Sequence, residues 1–211
     1  MSVAADFSVE LGELRLEMQL DVEAGERVAI VGPNGTGKTT LLRVLAGLQP
    51  IDSGVVRIDG RVVDDPTVDA FNHAQDRGVG YCPQELALFA HMNALENVAF
   101  GLRAHGHSKS QAHERARELL RQIELSQFVD SLPSSMSQGQ CQRVAIVRAL
   151  ASSNQLVLLD EPTSAIDVQS RDAVHGLINA EVRRTGATLI VVTHDRDEAA
   201  ELADRVIDIG A

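Results

Sequence analysis

One run of residues, Gly32-Pro33-Asn34-Gly35-Thr36-Gly37-Lys38-Thr39-Thr40, leaves this chain few ways to fold. It fits G-x-x-x-x-G-K-[ST], and its flanks supply the context that the pattern needs. The apolar Val28-Ala29-Ile30-Val31 before it reads as a buried strand. Residues 41–48 after it read as a helix with Gly47 near its end. Strand, glycine loop and helix make a phosphate-binding loop. The glycines let backbone N–H groups converge on an anion, and the helix adds its positive N-terminal end. In such a loop Lys38 reaches the β- and γ-phosphates of a nucleoside triphosphate, and the Thr39 hydroxyl ligates Mg²⁺.

The remaining sequence reads as α/β. Between Phe7 and Gly25 the residues alternate with a period of two, which predicts antiparallel strands with one wet face. A second strand pair over 54–63 turns at Asp59-Gly60, a strong hairpin signal. Residues 78–82 predict a core strand ending at Pro83-Gln84. From Glu85 to Ser153 the pattern becomes helical. Ser110 is placed as the cap of a helix with Ala112, Ala116, Leu119, Leu120 and Ile123 on one face. Pro133 interrupts it, and Ser137 caps a second helix carrying Val144, Ile146, Val147 and Leu150. Strands return at 156–160, 188–193 and 206–209, separated by helices over 168–184, stopped by Gly186, and 195–203. Apolar strands alternating with helices predict a mostly parallel core.

With 211 residues the chain forms one large domain, or one with a subdomain. A net charge of −11 argues against a nucleic-acid surface, which demands clustered cations. Cys82 and Cys141 have no metal-ligand spacing and read as reduced thiols. No basic and apolar leader opens the sequence, and no apolar run approaches the roughly 18 residues that span a bilayer. A membrane role would therefore come through a partner.

The second constellation is Leu156-Val157-Leu158-Leu159-Asp160-Glu161, a buried strand ending in two carboxylates. Ligands of open α/β sheets sit at the carboxyl ends of strands, so both acids face the phosphates. Asp160 is the natural Mg²⁺ partner, and Glu161 is placed to act as general base on a water.

With these marks in order, the chain resembles the ATP-binding subunits of ABC transporters over nearly its whole length. The residues that carry the resemblance are the phosphate loop, Gln84 in Tyr-Cys-Pro-Gln-Glu, the segment Ser-Met-Ser-Gln-Gly-Gln-Cys-Gln-Arg-Val-Ala, then Leu-Leu-Asp-Glu-Pro-Thr-Ser-Ala-Ile-Asp, and Thr193-His194-Asp195. The resemblance implies a P-loop NTPase core with a mostly parallel sheet, an N-terminal antiparallel β subdomain and a helical subdomain inserted at about 86–153. One ABC ATPase domain over 1–211, with no C-terminal regulatory domain, is expected. The resemblance implies ATP and Mg²⁺. It also implies that Gln84 touches Mg²⁺ or the lytic water, that His194 contacts the γ-phosphate, and that Asp167 lies on a loop crossing to a second copy. Ser137, Gly139 and Gln140 would bind the ATP held by that copy.

The chain departs from the family in two places. The usual Leu-Ser-Gly-Gly-Gln is Met136-Ser137-Gln138-Gly139-Gln140 here. Gln138 replaces a glycine and excludes easy access to φ > 0, so reduced rather than absent turnover is expected. Many relatives stack adenine on an aromatic residue before the phosphate loop. From Ser8 to Pro33 there is none, which predicts limited discrimination between ATP and GTP.

Residues 88–102 resemble the importer segment that flanks the groove for a membrane subunit, and the opening 7–12 resembles molybdate importers. The implied assembly is a head-to-tail homodimer or paralogue dimer on polytopic permease subunits, served indirectly by a substrate-binding protein. It would lie at the cytoplasmic face of the membrane, would carry molybdate or a similar oxyanion, and would involve no nucleic acid. Two alternatives stay open: a soluble ABC ATPase acting on nucleic acid or ribosomes, and a weakly hydrolysing regulatory subunit.

Overall fold

The computed structural model describes residues 1–12, 14–152 and 155–209. The hairpin residue Glu13, the helical boundary read at Ser153 and the chain end at Ala211 lie outside them.

The alternating N-terminal segment forms β1 (Val3–Leu11) and β2 (Leu14–Val22), antiparallel from Val3↔Val22 to Leu11↔Leu14. β3 (Arg27–Val31) leads through the glycine loop into α1 (Lys38–Leu45). β4 (Ser53–Ile58) and β5 (Arg61–Asp65) follow, joined by Asp59 and Gly60, whose φ values of 54° and 75° suit a tight hairpin turn. Next come β6 (Ala70–Phe71), the short α2 (Ala74–Arg77) and β7 (Val79–Cys82). Then α3 (Ala94–Ala104), α4 (Lys109–Gln122) and α5 (Gln138–Ser152) run in succession. The chain returns to strand at β8 (Leu156–Asp160), followed by α6 (Val168–Thr185), β9 (Thr188–Val192), α7 (Arg196–Leu202) and β10 (Arg205–Asp208).

Two sheets result. One is antiparallel in the order β2-β1-β4-β5-β6, and the other is β10-β3-β9-β8-β7, parallel throughout. The parallel strands are apolar on both faces because both faces are covered. Val28, Ile30, Leu158 and Val192 pack with α1 and the antiparallel sheet, whereas Ala29, Val31, Leu159 and Val191 pack with the helices between β7 and β8 and with α6 and α7. Ser108, not Ser110, caps α4. Its hydroxyl accepts the Gln111 N–H while the Gln111 side chain reaches back, so Ser110 falls inside the first turn. Ser137 caps α5 by the same reciprocal pattern with Gln140.

Candidate active site

The carboxyl ends of β3, β7 and β8 open into a cleft of about 480 Å³. Asn34, Gly35, Gly37, Lys38, Thr39 and Thr40 line it from the phosphate loop, Gln84 from the segment after β7, and Asp160 and Glu161 from the end of β8. Gly32, Pro33 and Thr36 belong to the same loop. Gly37, at φ 88°, takes the left-handed turn into α1, and a Cβ there would lie 2.5 Å from the Leu16 methyls. Lys38, the first residue of α1, is buried and curls over the loop. Its Nζ donates to the Gly32 and Pro33 carbonyls at 2.7 Å each.

Asp160 is 1% exposed, and among the described residues neither of its carboxylate oxygens has a hydrogen-bond partner. Burial pushes its carboxyl above the usual range, although the Thr39 hydroxyl and the Lys38 charge favour ionisation. Thr39 lies near it but outside ordinary hydrogen-bond geometry. An orphaned buried carboxylate beside a hydroxyl is a hard-oxygen donor set that suits Mg²⁺, which takes one or two protein oxygens and completes its shell with phosphate and water.

Glu161 is also buried, and its backbone is held at φ 49°, a strained setting for a residue with a side chain. The strain is held by bonds on both sides. The Glu161 N–H donates to Val192 O at 2.8 Å, and its carbonyl accepts Gln142 Nε2 at 2.8 Å and Ser164 Oγ at 3.0 Å. His194 Nδ1 meets Glu161 Oε2 at 2.7 Å. Burial raises the Glu161 carboxyl pKa, opposed by the His194 charge and hydrogen bond. The pairing of these two side chains was not legible in the sequence, which placed each near the phosphates separately.

Gln84 is exposed on a loop whose next turn is also strained, with Leu86 at φ 61° and Ala87 at φ 46°. Buried Arg148 of α5 donates to both of their carbonyls, at 2.8 and 2.7 Å. Ser137, Gly139 and Gln140 stand at the start of α5 and do not line the cleft. Gly139 approaches the segment after Glu161 so closely that a Cβ would lie 2.8 Å from Ala165 O. Gln138 corrects an expectation. It is an exposed residue in the first turn of α5 and is absent from the positive-φ residues, so its replacement of glycine costs no backbone strain. Asp167 caps α6 by accepting the Ser170 N–H at 3.0 Å. Phe7 is buried in the core, and the one residue of β1 at the cleft is Leu11, with no aromatic side chain among the lining residues.

The chain was compared with known proteins. It is 43% identical over 94% of its length to the "Sulfate/thiosulfate import ATP-binding protein CysA" of Rhodopseudomonas palustris, covering 57% of that protein. It is 42% identical over 92% of its length to the "Spermidine/putrescine import ATP-binding protein PotA" of Roseobacter denitrificans, covering 52% of it. It is 38% identical over 93% of its length to the "Molybdenum import ATP-binding protein ModC" of Mycobacterium tuberculosis, covering 54% of it. The chain thus spans about half the length of these curated relatives. Among solved structures, it matches the ATP-binding cassette MJ0796, described as a dimer in a post-hydrolysis state bound to ADP and Pi. The TM-score is 0.84 at 31% identity, covering 98% of this chain and 94% of that one. The family profile described as "ABC transporter" matches residues 16–164, from β2 through the phosphate loop to the segment after Glu161. That match spans most of the chain and includes the cleft's main walls, and the chain belongs to the ABC transporter family.

Proposed function

We propose that this chain is the ATP-hydrolysing subunit of an ABC importer, acting as a head-to-tail pair of cassettes. The observation that carries the reading is the meeting of the phosphate loop with Asp160 and Glu161 in one cleft, with His194 bonded to Glu161 from beside it. Lys38 exchanges its two loop carbonyls for β- and γ-phosphate oxygens, and the loop N–H groups and the start of α1 hold the rest of the anion. Thr39, Asp160 and Gln84 would hold Mg²⁺, which supplies charge neutralisation at the phosphates when bound. Glu161 orients a water and takes its proton as the oxygen attacks the γ-phosphorus and the bond to the β-phosphate oxygen breaks. His194 bonds the Glu161 carboxylate and would contact the γ-phosphate. Steady-state ATPase of the purified chain tests this reading: no hydrolysis at any pH with Mg²⁺ present would refute it.

Ser137 and Gly139 stand outside their own cleft, which suits a role on the nucleotide of a second copy related by a twofold axis. Among the described residues no helix is long and apolar enough to cross a membrane. In this reading the chain meets the bilayer through permease subunits, peripheral at the cytoplasmic face, as the relatives named as import ATP-binding proteins suggest. The cargo class is an oxyanion. The relatives named for sulfate/thiosulfate and for molybdenum support it without favouring molybdate over sulfate, while the relative named for spermidine/putrescine speaks for a cationic cargo instead. Mild-detergent extraction that recovers a polytopic membrane protein, with ATPase stimulated by a loaded oxyanion-binding protein, is the expected result. Copurification with a nucleic-acid complex instead would overturn the transport reading and leave the ATP site standing.

A further inference from the structure

Behind the Glu161–His194 pair lies a second buried polar cluster that the scheme above does not use. Glu198, in the first turn of α7, is 4% exposed, and His175, in the middle of α6, is also 4% exposed. Thr163 Oγ1 donates to Glu198 Oε1 at 2.6 Å, and the fully buried Thr193 hydroxyl, which accepts the Asp195 N–H at 3.0 Å, lies close by. His175 Nε2 faces Glu198 Oε1 at 3.4 Å, and its Nδ1 faces Glu201 Oε2 at 2.7 Å.

The chemistry of these contacts is restrictive. A carboxylate only accepts, so an imidazole with a carboxylate on each nitrogen satisfies both only when both nitrogens carry protons. The geometry therefore describes a cationic His175 between two acids. Burial works against that cation, but the Glu198 and Glu201 hydrogen bonds outweigh it and raise the His175 pKa. Burial likewise works against the Glu198 charge, and the bonds from His175 and Thr163, with the Thr193 hydroxyl close by, outweigh it. Near the cluster also stand Glu161, whose carboxyl feels the Glu198 charge, and its partner His194, after the ends of β8 and β9. The Arg171–Asp195 pair, at 3.6 Å, sits where α6 and α7 begin.

The position of the cluster gives it a use. Thr163 is two residues after Glu161, and Thr193 immediately precedes His194. The Glu198 carboxylate, on the helix that begins just after His194, thus grips the Glu161 segment through Thr163. We propose that Glu198, kept ionised by His175, is a positioning residue that fixes the Glu161 segment against the His194 segment, so that protonation of His175 sets how well the pair is aligned. The proposal rests on the ATPase reading above. Alignment, and not nucleotide affinity, is what it controls, because among the described residues the phosphate loop makes no bond to the cluster. As pH rises through the His175 transition the cation is lost, Glu198 loses its counter-charge, and turnover falls.

The test is a kinetic comparison of the parent chain with Glu198→Gln and His175→Gln at saturating Mg–ATP across a range of pH. Glu198→Gln keeps the side-chain shape and is expected to lower kcat about 10- to 100-fold, the scale of a small misalignment, with KM for ATP changed by less than about threefold. His175→Gln is expected to lack the alkaline fall that the parent shows. Nitrogen-15 shifts of the imidazoles are expected to report His175 doubly protonated near about pH 7. Parental kcat in Glu198→Gln, an unchanged alkaline limb in His175→Gln, or a neutral His175 at that pH would each overturn the proposal. If Glu198→Gln also loses ATP binding, Thr163→Val decides: it removes the grip on the Glu161 segment and keeps the carboxylate, and there a tenfold loss of kcat supports the proposal and a parental kcat overturns it. An inactive parent removes the ATPase reading and this proposal together, and is distinguished because the unmodified chain itself fails.

Discussion

Replacing Asp160 with Asn keeps the shape of the side chain at the end of β8 and removes its charge. Asp160 is buried without a hydrogen bond to either carboxylate oxygen, and burial raises its pKa above the unfolded value. A raised pKa means that the folded state prefers the protonated carboxyl. That preference stabilises the fold fully below the unfolded pKa and is lost as pH rises through the folded one. At neutral pH the charge therefore opposes folding when no ligand is present. The amide of Asn is itself poorly partnered there, so the gain is only the excess cost of a charge over a neutral polar group, about 1–2 kcal/mol. For a chain of this size that corresponds to a rise in Tm of about 2–8 °C. Thermal unfolding in a chelator at neutral pH measures it, and the gap should close on acidification as the parent Asp160 takes up its proton. Addition of Mg–ATP should then raise the Tm of the parent more than that of the variant, because the orphaned oxygens are what the cation would bind. An Asn variant less stable than the parent in chelator would refute the reasoning, since it would mean that the charge is already compensated within the chain.

Four further outcomes follow from the same cleft. Glu161→Gln should retain ATP binding and slow hydrolysis by about 10²- to 10⁴-fold, with the ATP-bound dimer accumulating on size-exclusion chromatography; near-parental hydrolysis would remove Glu161 as base. Turnover should fall as pH drops through the raised Glu161 pKa, and because the His194 charge lowers that pKa, His194→Gln should move the acid limb of the residual activity to higher pH. Gln138→Gly should raise ATP-driven dimerisation and turnover by removing a side chain from the exposed start of α5, and unchanged values would show that Gln138 is neutral. The parent should bind ATP and GTP within a few-fold of each other, and Leu11→Trp should tighten ATP binding about 5- to 150-fold if the base stacks there, the span that corresponds to about 1–3 kcal/mol.

The strands and helices were legible because their signals are local. The apolar runs that became β3, β8 and β9 are buried on both faces, and the 3.6-residue spacing of Ala112, Ala116, Leu119 and Leu120 matches the buried face of α4. The phosphate loop, Asp160 and Glu161 were legible for the same reason, as each motif is contiguous. What the sequence hid depends on approach between distant segments. The contact between His194 and Glu161 spans 33 positions and exists because β8 and β9 are neighbours in the sheet. Glu198 and His175 read as an ordinary first-turn acid and a mid-helix histidine, and nothing in their spacing points to each other. The loss of access to φ > 0 read at Gln138 was an inference from residue type alone. The helix that starts there supplies an ordinary backbone conformation, and only the fold could say so.

The start of α5 is tied to the catalytic segment more tightly than its distance from the cleft suggests. Gln142 donates to Glu161 O and accepts the Ala165 N–H at 2.9 Å, so two bonds of one side chain set where Glu161 turns out of β8. Ten residues from Gln138, Arg148 of the same helix grips the carbonyls that follow Gln84. A rigid α5 therefore holds three things in one frame: the Ser137–Gly139 surface proposed to meet a second copy, the backbone of Glu161, and the loop of Gln84. If the partner's nucleotide pulls on Ser137 and Gly139, the displacement reaches both walls of this chain's own cleft through bonds of 2.7–2.9 Å, with no further moving part. Hydrolysis in each cleft would then depend on the closure of the other, which is the property that a two-cassette motor needs.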